Sequence, residues 1–459
     1  MMSSTALILA SVLGVSMTVI EFLHFRHVRR ITFLSITHVL IFVGYCLPPF
    51  LITMLPGTPW ESGPYGAANP NPWGIRLYII DLAEALNLPG SAYVTAGLLL
   101  IGGYVVLVGS YFLLPRDRIR PLDSRSLPQG GLTACGLVLG AVAAIALFIY
   151  ASQFGGLSRF IQSGLYIRRG TMEVQWGSLQ VLAQVAFPAF LFLAAAAAWS
   201  KGRRRALLAL AAAAVWAVVA FRLVHVGGRL EFAAVLITPV LAWSFIMQPG
   251  LRTTAILLGI AILGLFLASV DPIFFRDPIG TFSAEFTKLR YDLANSLLYI
   301  LAYLGFPHIN AAHALTVVPG DIPFRYFVDI PLGLAYMLPN FTGVETLPPM
   351  ILSLHVKLLP WIPVDLLSFG YYSLGTIGVL ITFAAFGALL AMFDGWLTES
   401  TGWLGQALRA AWLFYLPFRL LYADPYATLQ SGFGLITGTL AIIALALWSA
   451  WQRDNPKGR

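Results

Sequence analysis

The chain has 459 residues, of which 58% are hydrophobic and only 10% charged, with a formal net charge of +8 and a mean hydropathy of +0.80. Soluble domains carry roughly 45–50% apolar and about 25% charged residues, so a soluble globular protein is excluded. The apolar runs are continuous and Leu/Ala-rich rather than alternating, which also excludes a β-barrel. Each is long enough to cross about 30 Å of hydrocarbon as a helix. The composition therefore predicts an all-α polytopic membrane protein.

Taken in chain order, about eleven spans are expected, at 4–23, 32–55, 92–114, 131–152, 179–200, 206–226, 231–248, 253–270, 370–393, 406–422 and 431–451. The first run lacks a basic leading segment and ends in a basic cluster, so it reads as a span and not a cleavable signal. Cys46 and Cys135 lie inside apolar runs, where a thiol serves as a small apolar filler. One set of connections holds Arg26, Arg29 and Arg30; Arg116, Arg118, Arg120 and Arg125; Lys201 and Arg203 to Arg205; Arg252; Arg409; and Arg453, Lys457 and Arg459. The positive-inside rule makes that set cytoplasmic. The N-terminus is then outside, and the external segments are 56–91, 153–178, 227–230, 271–369 and 423–430. Three regions follow: 1–270 with spans one to eight, a large external loop at 271–369, and 370–459 with the last three spans.

The long external segment far exceeds ordinary connections, and such loops usually carry function. Phe282, Phe286, Leu289, Leu293, Leu297 and Ile300 fall on one face at 100° per residue. Pro-rich extended pieces follow. Amphipathic helices lying at the outer interface and capping a cavity are expected here.

Basic residues on the outer side run against the charge rule, so they mark candidate sites. Arg222, His225 and Arg229 are spaced i, i+3, i+7 and would share a helical face. If Gly227-Gly228 breaks the helix instead, backbone N–H groups there form an anion nest. Either geometry favours a bound anion. The plain alternatives are that Arg222 snorkels to the headgroups and that Arg229 pairs with Glu231. On the 282–300 pattern, Lys288 and Asp292 form an i, i+4 surface pair. Arg290 lies on the margin of the apolar stripe without an acidic helix neighbour. Arg325 has Asp321 and Asp329 each four residues away, which sets a salt bridge against anion binding.

Metal chemistry finds little footing: the seven histidines are scattered, and His308 and His313 around Asn310 are a weak ligand spacing. No metal, cofactor or nucleic-acid partner is expected. There is no Gly-x-Ser-x-Gly elbow and no phosphate loop.

Four segments carry a family likeness. Gly-Gly-Arg-Leu-Glu-Phe-Ala-Ala-Val-Leu at 227–236 resembles the Gly-Gly/Ser-x-Arg start of a span in bacterial O-antigen and oligosaccharide repeat-unit polymerases. Pro-Phe-Arg-Tyr-Phe-Val-Asp-Ile-Pro at 323–331 is similar to their loop of arginine, aromatics and Ile-Pro. The Gly-rich run at 366–380 resembles the return of that loop into the next span, which ends at Phe393-Asp394 much as in enterobacterial common antigen polymerases. Gly-Gly-Leu-Ser-Arg-Phe at 155–160 fits an earlier external loop.

The resemblance spans about 155–400 and implies an inner-membrane glycosyltransferase of GT-C architecture, with its active site facing the periplasm. Such enzymes join repeat units carried on undecaprenyl diphosphate, without nucleotide sugar or cofactor, beside a flippase and a chain-length regulator of the same pathway. It implies roles for Arg229, Arg325 and Arg290 at the diphosphate. Arg222 and His225 join them on spacing alone, and Arg159 is a candidate for gripping the second lipid diphosphate or sugar. For a base at the acceptor hydroxyl, His225, Glu231, His308 and His313 are available; His313 is also counted with the substrate-binding residues. Besides another GT-C enzyme that uses a polyprenyl monophosphate sugar, for which Glu61, Asp81 and Glu84 lack the expected close pairing, two other functions remain open. One is O-antigen ligation to lipid A-core. The other is transport of a lipid-linked glycan, which would call for ionisable groups within the spans.

Overall fold

The computed structural model describes residues 4–54, 86–115, 119–168, 174, 176–226, 235, 237–242, 244–245, 259, 305–337 and 364–454. In chain order the helices are α1 (Ser4–Val28), α2 (Phe33–Ile41), α3 (Leu47–Met54), α4 (Gly90–Leu113), α5 (Gln129–Ser152), α6 (Leu157–Arg168), α7 (Gly177–Leu182), α8 (Ala186–Trp199), α9 (Gly202–Val226), α10 (Phe306–Val317), α11 (Asp329–Met337), α12 (Leu366–Leu397), α13 (Gly402–Tyr415) and α14 (Pro425–Asp454). No strand occurs among the described residues; Asp123 and Thr401 form an isolated bridge.

Eight helical stretches among the described residues are long and apolar enough to cross a membrane: α1, Phe33–Phe50, α4, α5, Gly177–Trp199, Gly202–Leu223, α12 and Pro425–Gln452. The expected span at 253–270 lies outside the described residues apart from 259, and 231–248 is described only in part. So does the patterned segment 282–300 with Lys288, Arg290 and Asp292. The expected span at 406–422 is not one continuous helix. There α13 is 14 residues long and gives way to a 3-10 turn at Pro417–Leu420, because Pro417 has no N–H to continue the helix. The hydropathy of that stretch runs on unbroken through the proline, so the break is invisible to a window average.

Contacts divide the chain into two units: Met1–Ile119 with Phe286–Asp394 and Leu416–Thr428, and Arg120–Glu285 with Gly395–Tyr415 and Leu429–Arg459. In the first unit α1 buries one stripe, Ala6, Ala10, Leu13, Met17 and His24, at the spacing of a single helical face. Thr32 caps α2 through a reciprocal bond pair with Ser35, each 3.2 Å. Downstream the helix widens into a π-helical turn at Phe42–Cys46 before α3. Pro48 and Pro49 follow it and have no N–H for the carbonyls of Gly44 and Tyr45, so the ladder is already broken where the turn widens. Cys46 and Cys135 are free thiols.

The Gly-rich run at 366–380 does more than lead into a span. Leu374 (φ −154°, ψ 33°) and Gly375 (φ 59°, ψ −146°) interrupt α12 and divide it into helical segments 366–373 and 376–397, so the expected span 370–393 is broken near its start. The chain doubles back there. Gly370 and Gly378 come so close that a Cβ on either would collide with the other's carbonyl. The interruption frees carbonyls inside the membrane protein, and they must be satisfied. Arg325 N–H bonds Tyr372 O at 2.9 Å and Tyr326 N–H bonds Ser373 O at 2.8 Å. To reach them, Tyr326 (φ 51°) and Phe327 (φ 59°) take the left-handed conformation.

In the second unit α5 approaches α8 at Gly136, which receives Leu193, and α9 at Gly140, which receives Val215. Ala143, Val185, Ala186, Val219, Leu223 and Val235 form the core beneath the end of α9.

Candidate functional site

The end of α9 in the second unit holds the first group of candidates. Arg222 and His225 are 5% and 4% exposed, on one face as their spacing requires. Arg222 therefore does not snorkel outward. About 6 Å of helix separates it from the end of α9, and it turns inward. Its Nε donates to the carbonyl of Gln180 at 3.0 Å, just before α7 tightens into the 3-10 turn Ala183–Val185. Arg222 also lines a cavity of about 60 Å³ whose other polar walls are Gln184, Tyr415 and Ser431, with Phe187, Val219, Leu223 and Leu435 among the apolar ones. No lining residue is acidic. Gln184 is held across this cavity's wall by Gln430 O at 2.7 Å. The volume suits a small polar group or a few waters, and the wall chemistry, a guanidinium with neutral hydrogen-bonding groups, suits an anion.

His225 is fully engaged. Its Nδ1 donates to Phe160 O at 2.5 Å, and its Nε2 stands 3.0 Å from the Tyr150 hydroxyl. Its ring stacks on Phe160 with centroids 3.9 Å apart, and Phe154 and Tyr150 close around it edge-on. α6 reaches this position because Gly164 lies against the His225 carbonyl, where a Cβ would collide. For His225 to accept a proton from substrate, Tyr150 must first swing away. Arg159, at the start of α6 behind the turn Gly155-Gly156 (φ 69° and 142°), is exposed. Arg229 and Glu231, the remaining members of this predicted group, lie outside the described residues, as does Arg290.

Arg325 sits in the first unit. It forms the i, i+4 ion pair with Asp329: Nε lies 2.7 and 3.0 Å from the two carboxylate oxygens and Nη2 2.5 Å from one. The hydrogen bond to Asp329 holds the guanidinium above its ordinary pKa range. Of the two readings open for Arg325, the ion pair is the geometry present. Asp329 is fully buried and also accepts a hydrogen bond from Tyr372. Asp424, buried nearby, caps α14 by accepting from Ala427 N–H at 2.8 Å, while its Oδ2 has no hydrogen-bond partner among the described residues. Burial raises its pKa, the Asp329 charge adds to the rise, and Arg419 opposes it. Two carboxylates and two guanidinium groups are thus gathered here.

His308 and His313 lie on α10. His308 is 4% exposed, stacks on Tyr93 with centroids 5.5 Å apart, and its Nε2 has no partner among the described residues. Burial lowers its pKa to about 4, so it is neutral at pH 7. His313 is half-buried and is lowered by the same cause. Neither falls in a group of three or more potential metal ligands among the described residues.

Sequence reasoning passed over Tyr150, Tyr372 and Asp424. Only Asp424 carried a local signal, an acidic residue directly before Pro425 at a helix start; the tyrosines are brought in by packing between distant helices. No family model matches the chain, and neither a curated protein nor a solved structure does.

Proposed function

We propose that this chain is a membrane glycosyltransferase that polymerises undecaprenyl-diphosphate-linked oligosaccharide repeat units on the periplasmic face of the inner membrane. The observation that carries the reading is Arg222, buried near the end of a membrane helix with its guanidinium in the wall of a small cavity. Burying an arginine at the centre of a span costs about 2.5–3.5 kcal/mol on insertion scales, and less towards its ends; a protein sustains such a cost where the charge has a use. A diphosphate leaving group needs positive charge as the sugar bond breaks, and guanidinium groups supply it as bidentate donors. Basic connections on the opposite side and the resemblance of segments 155–160, 227–236, 323–331 and 366–380 to repeat-unit polymerases support the same reading. Arg229 and Arg290 belong to it through that resemblance and through their place on the outer side.

The test is the length distribution of surface glycan in a host carrying variants. Arg222→Ala, Arg229→Ala and Arg290→Ala should each reach the membrane at normal levels yet lower chain extension by about 100-fold, the loss typical of one transition-state donor. Glycan should then stop at single repeats on the lipid carrier. Normal ladders in all three variants sink the reading. In a deletion strain, accumulation of finished polymer on undecaprenyl diphosphate would point instead to ligation onto lipid A-core.

A second reading, transport of a lipid-linked glycan, draws on the buried histidines and carboxylates of the first unit's membrane helices, groups of the kind that mark transport pathways. Purified protein given lipid-linked repeat units separates the two: elongation supports the enzyme, and translocation without elongation supports the transporter.

A further inference from the structure

Two carboxylates and two histidines in the membrane helices of the first unit have no part in the phosphate chemistry, and their hydrogen bonds join into one line. Glu21 Oε2 lies 2.8 Å from His38 Nδ1, whose Nε2 is 3.1 Å from the Tyr104 hydroxyl. Glu21 also accepts from the Ser35 hydroxyl, which is 3.0 Å from Thr32 Oγ1. Thr32 Oγ1 lies 3.2 Å from His24 Nε2. That nitrogen is 3.5 Å from the Tyr111 hydroxyl, which donates to Asp394 Oδ2 at 2.6 Å. Residues from α1, α2, α4 and α12 thus form the line Glu21–Ser35–Thr32–His24–Tyr111–Asp394, with His38 and Tyr104 as a branch at Glu21.

Exposure differs along it. His24, Thr32, Tyr111 and Asp394 are all 6% exposed or less, whereas the Glu21 side chain is 27% exposed. The line therefore has an outer terminus at Glu21 and an inner one at Asp394. Hydroxyls alone would tether helices more cheaply, since each ionisable group in a span carries its own insertion penalty.

We propose that this line is an intramembrane proton-binding relay, loaded at Glu21 and holding its proton at Asp394. The transfers balance. Protonated Glu21 gives its proton to Ser35 Oγ, Ser35 gives its own to Thr32 Oγ1, and Thr32 gives its own to His24 Nε2. The imidazolium so formed releases that proton to the Tyr111 oxygen, and the original Tyr111 proton passes to Asp394 Oδ2. Glu21 ends as a carboxylate, Asp394 as a carboxylic acid, and every group between them regains its starting protonation, with His24 carrying its resting proton on Nδ1. The titratable groups around the line are Glu21 and His24 on α1, His38 on α2, Cys46 in the π-helical turn, Tyr104 and Tyr111 on α4, and Asp394 on α12. Arg419, in the 3-10 turn packed against α2, stands with Asp424.

Infrared spectroscopy of the full-length protein in lipid nanodiscs tests this. A protonated-carboxyl band should grow as pH falls from about 8 to about 5, the range in which imidazole changes charge, and Asp394→Asn should remove the Asp394 component of it while leaving that of the buried Asp424. Tyr111→Phe keeps the ring and removes one link. With helix content unchanged by circular dichroism, it should retain a carboxyl band whose exchange with deuterium slows. The proposal is overturned if no carboxyl band changes over that range, if Asp394→Asn leaves the spectrum unaltered, or if Tyr111→Phe exchanges as fast as the unsubstituted protein. Each of those results makes the line a hydrogen-bonded scaffold only.

Discussion

Arg325 and Asp329 face each other across the left-handed turn that leads into α11, and the burial of the pair is lopsided: the arginine side chain is 17% exposed, the carboxylate 0%. The lopsidedness predicts unequal consequences of breaking it. Arg325→Ala strands a carboxylate that cannot reach water, which costs about 3–5 kcal/mol. Asp329→Ala leaves a guanidinium on a flexible stem that can bend towards solvent, and the penalty should be smaller. The double variant should recover part of the Arg325→Ala loss, because no charge is then buried alone. Melting temperatures of the purified variants check the order. Equal losses for the two single variants would contradict the burial argument.

How far this arrangement was readable in advance depends on its range in the chain. The i, i+4 spacing of Arg325 and Asp329 put the ion pair in view, and the i, i+3 spacing of Arg222 and His225 put them on one face. Neither spacing says what the face meets: Gln180, Phe160 and Tyr150 arrive from other helices. The relay residues were harder still. Glu21 and Asp394 each stand near the end of an apolar helix, where a lone acid is unremarkable, and only packing joins residues separated by hundreds of positions. Hydropathy found the helices because burial in lipid acts on every residue of a run. It lost the break at Pro417 because one missing N–H barely changes an average.

His308 predicts a specific acid sensitivity. Its pKa is lowered to about 4 by burial, against about 6.5 for a free histidine. The unfolded chain therefore takes up a proton in this window before the folded one does. Stability from this group is complete above about pH 6.5 and falls as pH drops through the window to about 4, by an amount on the order of 3 kcal/mol at full protonation. A His308→Phe variant keeps the stacking on Tyr93 and has nothing to protonate. Its melting temperature should decline less than that of the unsubstituted protein between those two values. A parallel decline in both proteins would show that His308 does not carry the effect.

Gly375 should not accept a side chain without backbone strain. Its conformation, φ 59° with ψ −146°, belongs to a region open essentially to glycine alone. A Cβ there would sit at ordinary contact distance from the Phe324 ring, 3.4 Å, so the cost lies in the backbone. The reversal at this point is what exposes the Tyr372 and Ser373 carbonyls to Arg325 and Tyr326. An alanine therefore strains the backbone by about 1–3 kcal/mol and favours a straight helix that withdraws both acceptors. In Gly375→Ala, the amides of Arg325 and Tyr326 should lose protection from hydrogen exchange together, while those of α5 and α8 in the second unit keep theirs. A fall in protection across both units would mean that the substitution unfolds the chain globally, and the assignment of Gly375 to a local hinge would fail.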